Sequence, residues 1–137
     1  MANEAKLRVE TGLPINMTVA DGTGIEKGAI LKLSDPLTAA TSDGDEDYIA
    51  GIAACEKIAN DGVTSLAVYR EGIFDMVLSG SVTAGQAVAK AANANVIKVA
   101  DATCIGGKTL GIALETGTEG ETILVELNPG CNNTAYS

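Results

Sequence analysis

Glycines recur in this chain at two matching sets of positions. Gly28, Gly51, Gly62 and Gly72 are followed by Gly85, Gly111, Gly120 and Gly130, at separations of 57, 60, 58 and 58 residues. Each set keeps similar company. Gly28 opens the apolar stretch AILKL and Gly85 opens QAVAK; Gly51-Ile52-Ala53 is answered by Gly111-Ile112-Ala113. A polar turn ending in Gly62 or Gly120 then precedes an alternating stretch, VTSLAVYRE or ETILVELNP. Near-constant separation over four landmarks points to a duplicated supersecondary unit. The expected organisation is an N-terminal arm over 1–14, one β domain over 15–130 with repeats at about 15–72 and 73–130, and a C-terminal tail over 131–137.

The repeated unit reads as strands. Leu66 and Val68 alternate with Ser65, Ala67 and Tyr69, and Ile123, Val125 and Leu127 alternate with Leu124 and Glu126. Period 2 puts successive side chains on opposite faces of a sheet. Val96, Ile97 and Val99 form another β-branched run, and Asp21-Gly22, Asp43-Gly44, Asp61-Gly62 and Gly117 punctuate the chain as turns. Glu56 to Asn60 is too short for a stable helix, and the alanine-rich Ala84 to Ala94 is broken by Asn93. The predicted fold is all-β, a small sandwich or barrel with an extended N-terminal arm.

Composition limits how much such a domain can bury. The hydrophobic fraction is 46%, but 21 of those residues are Ala and 32 are Val, Ile or Leu. Burial stabilises by roughly 25 cal/mol per Å² of apolar area, and Ala brings little area. A monomer of this composition is expected to be marginal, with neighbouring subunits supplying part of the burial.

Charge and residue types exclude several functions. The net charge is −9, and the nine Lys and Arg are scattered from Lys6 to Lys108, so no clustered cationic surface awaits nucleic acid. The opening MANEAKLRVE has no hydrophobic signal core, and no apolar run approaches the ~20 residues of a spanning helix. A protein made in the cytosol, soluble and without a membrane partner is expected. The triplets at Asn16 and Asn132 then carry no weight as glycosylation sites. Cys55, Cys104 and Cys131 show no C-x-x-C spacing, and the chain has no His, so no metal site is expected. Cys55 and Cys104 lie in apolar stretches and read as small buried residues. Without His the commonest general base is missing, and no Ser or Cys has a His to activate it. Neither an enzyme nor a cofactor is expected.

Three local motifs point elsewhere, and each departs from the pattern it suggests. Ala102 followed by Gly107-Lys108-Thr109 is a loose form of a phosphate-binding loop, yet LGIALET after it reads as a strand, where a phosphate loop requires a helix N-terminus. A turn at Gly106-Gly107 with a solvated Lys108 accounts for it. The run Asp43-Gly44-Asp45-Glu46-Asp47 lacks the twelve-residue calcium-loop pattern and reads as an exposed loop of mutually repelling, solvated charges. The stretch GIALETGTEGETILVEL has the strand-turn-strand pattern of a lipoyl or biotinyl carrier, but no Lys lies between Gly111 and Leu127 to carry the group.

The order of the motifs is informative where single motifs are not. MTVADGTGIEKGAILKLSDP is followed by YIAGIAACEKI, then Gly72-Ile73-Phe74, then Val82-Thr83-Ala84-Gly85-Gln86, and finally Leu110-Gly111-Ile112-Ala113. From about Met17 to Leu127 this series resembles the capsid cement, or head decoration, proteins of tailed viruses. The resemblance implies a structural protein on the outer surface of an expanded icosahedral head. It implies contacts with the major capsid protein, often as a homotrimer at three-fold or quasi-three-fold positions, with no cofactor, no reaction and no direct contact with nucleic acid.

For contacts the arm is the candidate. It carries Lys6 and Arg8 among few basic residues, and Leu7, Val9 and Leu13 alternate along it like an edge strand, so it is expected to add to a neighbour or to the shell. Two other function classes remain open from sequence: another β-rich virion module, such as a baseplate or fibre component, and a carrier or nucleotide-binding domain.

Overall fold

The computed structural model describes residues 2–92, 94–101, 104 and 106–130. Among these, the alternating stretches form eleven β-strands and one three-residue 3-10 turn. In chain order the strands are β1 (Lys6–Val9), β2 (Ile15–Thr18), β3 (Ile30–Ser34), β4 (Thr38–Thr41), β5 (Ile49–Ala53) and β6 (Ser65–Tyr69). There follow β7 (Gly72–Val77), β8 (Ala87–Lys90), β9 (Ile97–Val99), β10 (Thr109–Ala113) and β11 (Thr122–Leu127). The chain is all-β, as its period-2 alternation requires.

Both halves use one pairing scheme. Strands β2-β4-β3-β5-β6 close into a barrel, and the second half runs β7-β11-β10-β8-β9 with β1 added outside β7. In the barrel, β2 meets β4 through a parallel pair, Thr18 with Thr38; in the second half Leu78 makes a parallel bridge to Ile97, bringing the end of β7 to β9. Both contacts carry a backbone bond, Thr18 N–H to Leu37 O at 3.1 Å and Ser79 N–H to Ile97 O at 2.8 Å. The bridges Ile25 with Lys57 and Val82 with Gly117 match as well.

The landmark glycines hold equivalent places in this scheme. Gly28 and Gly85 have φ of +84° and +95°, and Gly62 and Gly120 have φ of +82° and +85°. Gly51 and Gly111 each follow an extra residue in their strand, Ala50 opposite β3 and Leu110 opposite β8. A Cβ at Gly51 would collide with the carbonyl of Tyr69, and one at Gly111 with the carbonyl of Glu126. The bulge bends each strand so tightly onto its neighbour that only glycine fits.

Two apolar clusters result. Met17, Val19, Ile25, Leu31, Leu66 and Val68 fill the first barrel together with Ala29, Ala39, Ala50 and Ala53. A five-stranded barrel has a narrow interior, which is where the alanines of this composition are used. The other cluster fills the second half around Phe74, Met76, Leu78, Leu110, Ile123 and Leu127, and it also takes in Ile30, Ile49 and Ile52 from the outside of the first barrel. Every residue of β5 is therefore buried, one face inside the barrel and the other against the second half. Asn95 ties the halves by polar bonds: its Nδ2 donates to Asn3 O at 2.8 Å and Gly28 O at 3.0 Å, and its Oδ1 accepts from Ile30 N–H at 2.9 Å.

Candidate functional site

Lys108 closes the 3-10 turn Gly106–Lys108, and β10 begins at the next residue. No helix follows to present N–H groups to a phosphate. The Lys108 ammonium instead lies 5.4 Å from the centre of the Tyr48 ring. Ala102, Thr103 and Ile105 of that motif, and the tail with Cys131, lie outside the described residues.

The cysteines correct one expectation. Cys104 is buried, as its apolar setting predicts, and its thiol donates to Lys108 O at 3.3 Å. Burial raises its pKa from 9.0 to about 11. Cys55, expected to be buried, is exposed. It lies two residues beyond the end of β5, where the chain has already turned out of the barrel.

The acidic run is also less free than its sequence implies. Asp43 and Asp45 are exposed, but Glu46 and Asp47 are half-buried. Asp47 accepts from Ser42 Oγ at 2.8 Å and Gly44 N–H at 3.0 Å, while Lys98 reaches Asp45 at 2.9 Å and Glu46 at 3.3 Å. Glu46 N–H bonds Lys90 O at 2.9 Å, so the loop is pinned to the second half. The Lys90 ammonium is lowered in pKa by burial, an effect partly opposed by Asp47, Asp43 and Asp45. No group of three or more metal-ligating side chains occurs among the described residues.

What the surface does offer is apolar. Of eleven exposed large hydrophobic residues among those described, nine run from Leu7 to Val63, and Val99 and Leu114 are the two beyond. The first half and the arm therefore carry the sticky surface. Within the arm, β1 pairs antiparallel with β7, Lys6 opposite Asp75, Leu7 opposite Phe74 and Val9 opposite Ile73. Arg8 Nη1 bonds Asp75 Oδ2 at 2.7 Å, which raises the guanidinium pKa, first through that hydrogen bond and then through the charge. The arm thus docks on its own chain through one edge, and its other edge ends the sheet. All four β1 residues are exposed, and Leu13 beyond them is 82% exposed.

A second apolar feature sits where β2 and β5 begin and β3 turns into β4. Ile15, Leu33, Leu37 and Tyr48 are exposed there. A groove of about 400 Å³ opens between Leu33, Leu37, Tyr48 and Arg70 on one side and Gly107 and Pro129 on the other. Arg70 is fixed along it by donating to Ile49 O at 3.3 Å and Ala50 O at 3.0 Å. Sequence reasoning looked to the arm for contacts and missed Leu33, Leu37 and Tyr48. The available signal was an apolar Leu37 inside the polar turn Ser34-Asp35-Pro36-Leu37-Thr38, where burial has no use for it.

Two sheets with exposed apolar side chains and a groove offer surfaces for contact with other molecules. The chain belongs to the phage cement protein family, whose model matches residues 9–127. It is a structural protein of the virion, with the cement role that the family describes. Among solved structures the N base of head fiber gp8.5 of bacteriophage phi29 is similar, at 10% identity and a TM-score of 0.53. That match covers 83% of this chain and 92% of the other, and at this identity it speaks to the fold. No curated protein matches the chain. No helix among the described residues is long and apolar enough to cross a membrane.

Proposed function

We propose that the chain binds the outer surface of an expanded icosahedral head, bridges neighbouring copies of the major capsid protein, and does so as a homotrimer. The observation that carries this reading is the family match over residues 9–127. Physical chemistry supplies the mechanism. A protein that binds the assembled shell and not its free subunits stabilises the assembly by mass action, with no reaction and no cofactor. Three linked copies turn a weak single contact into a tight one, because the second and third contacts form at high effective concentration. A net charge of −9 keeps the free protein soluble and away from nucleic acid. Under this reading residues 15–72 and 73–130 act as one rigid body, with 1–14 as contact arm and 131–137 as tail.

The arm residues Lys6, Leu7, Arg8, Val9 and Leu13 are proposed contacts. Lys6 to Val9 form β1, which has one edge on β7 and ends the sheet with the other, where a strand of a neighbour can pair; Leu13 follows beyond it.

Heads that lack the protein provide the test. Adding the purified chain to expanded heads is expected to raise the temperature at which they break open, in proportion to the fraction of sites filled. Expanded heads that break open at the same temperature with saturating protein would contradict the reading.

A further inference from the structure

Resting on the cement reading, we propose that the open mouth of the first barrel docks an extended peptide segment of the head-shell subunit. At that mouth, where β2 and β5 begin and β3 turns into β4, Ile15, Leu33, Leu37 and Tyr48 are exposed. The segment places an apolar side chain in the groove and a carboxylate beside Arg70 and Lys108.

The two halves differ at equivalent positions. Ile15 pairs with Val68 on β6, and Phe74 pairs with Val125 on β11, so Phe74 stands where Ile15 does. Phe74 is 1% exposed and Ile15 is 42% exposed. The difference lies in what covers them. Phe74 has Leu7 of β1 opposite it and the Tyr69 ring edge-on at 5.8 Å. The same comparison sets Lys90 against Leu33: Lys90 is buried with its ammonium on Ala91 O and Ala94 O, while Leu33 faces solvent. Among the described residues, one mouth is sealed and its counterpart is not. The seal on the second half, moreover, is an extended segment with alternating apolar residues.

Local chemistry narrows the occupant. Pro14 stands where Ile73 does, and Ile73 is one of the residues that pairs with β1. Proline has no N–H, so a full ladder cannot form along β2, and edge-to-edge association of copies there is blocked. Side-chain docking into the groove is left as the main source of affinity. Arg70 lines that groove and Lys108 stands over the Tyr48 ring beside it, against one lining carboxylate, Asp35; in a chain of net charge −9 this local excess of positive charge favours a segment bearing a carboxylate. A second copy fits less well, because the chain's own extended apolar segment, Lys6–Val9, is already engaged on β7.

The test compares full-length variants for binding to expanded heads. Leu37→Asp with Tyr48→Asp alters two groove-lining side chains that are 56% and 58% exposed, so the fold is retained and an unchanged thermal midpoint confirms it. Leu37 has φ of +44°, a region Asp tolerates better than Leu. Affinity is expected to fall at least about tenfold with no change in oligomeric state. Val99→Asp with Leu114→Asp, on the second half, is expected to bind like the unaltered protein. Where the first pair lowers the thermal midpoint, Tyr48→Ala, a milder change at the same mouth, is read in its place. Unaltered affinity in the mouth variants overturns the inference, and so does an equal loss in the Val99 and Leu114 pair. Loss of self-association in place of head binding also overturns it, assigning the mouth to a second copy. Failure of the unaltered protein to bind heads sinks the cement reading itself, which is a different result.

Discussion

At the scale of single residues, the glycines were legible and the reason for two of them was not. Spacing alone paired Gly51 with Gly111. That each follows a bulge, with a carbonyl occupying the space a Cβ would need, depends on strands distant in sequence. Gly111→Ala is expected to destabilise by about 1–3 kcal/mol, the usual range for overpacking without room to relax. Gly62→Ala is expected to cost roughly 1–2 kcal/mol, because its Cβ meets nothing and only the left-handed backbone, φ +82°, opposes it. Urea unfolding of the two variants checks the order.

Cysteine burial was only half legible, since apolar neighbours in sequence do not tell a strand from the turn that leaves it. Cys55 is expected to react with a thiol reagent in the folded protein, and Cys104 only after unfolding, as read by mass spectrometry of the labelled peptides. The pH dependence follows. Burial raises the Cys104 pKa from 9.0 to about 11, so the folded state holds its proton more tightly than the unfolded chain. That group's share of stability is intact below about pH 9 and is lost as pH rises toward 11. Cys104→Ala is expected to flatten the decline of stability over this window. An equally steep decline in the variant would refute the assignment.

At the scale of elements, every strand predicted from alternation or from a glycine-led stretch is present, because period 2 is a local property. The parallel contacts that bring β2 to β4 and β7 to β9 were illegible, as was the place of β1. They join residues that no pattern in the chain brings together. The docking of β1 has a consequence for the arm. Removing residues 2–9 uncovers the edge of β7 and the Phe74 side chain, so it is expected to lower the thermal midpoint by several degrees as well as weaken head binding. An unchanged midpoint would show that β1 adds nothing to the fold. For this reason single substitutions, such as Leu13→Asp, separate contact from folding better than truncation does.

At the scale of the whole molecule, two matched halves carry unequal surfaces. The second half is sealed by the arm and by the first barrel, and most of the exposed apolar side chains gather on the first. Such a division suits a protein with one face on a shell and another toward solvent. The family was legible from the order of weak motifs, because their spacing reflects the duplicated scheme. The groove was not, since Leu33, Tyr48, Arg70 and Pro129 come from separate stretches and meet only on folding. The proposed trimer is expected in solution as a particle of about three times the 13.8 kDa chain mass by light scattering.

The central claim is that the chain recognises the assembled, expanded head. Its most direct measurement is co-sedimentation of the purified protein with expanded and unexpanded heads, counting bound copies per capsid protein. The account predicts saturable binding to expanded heads alone, near one copy per capsid protein. Absence of binding to expanded heads, or equal binding to both forms, would contradict it.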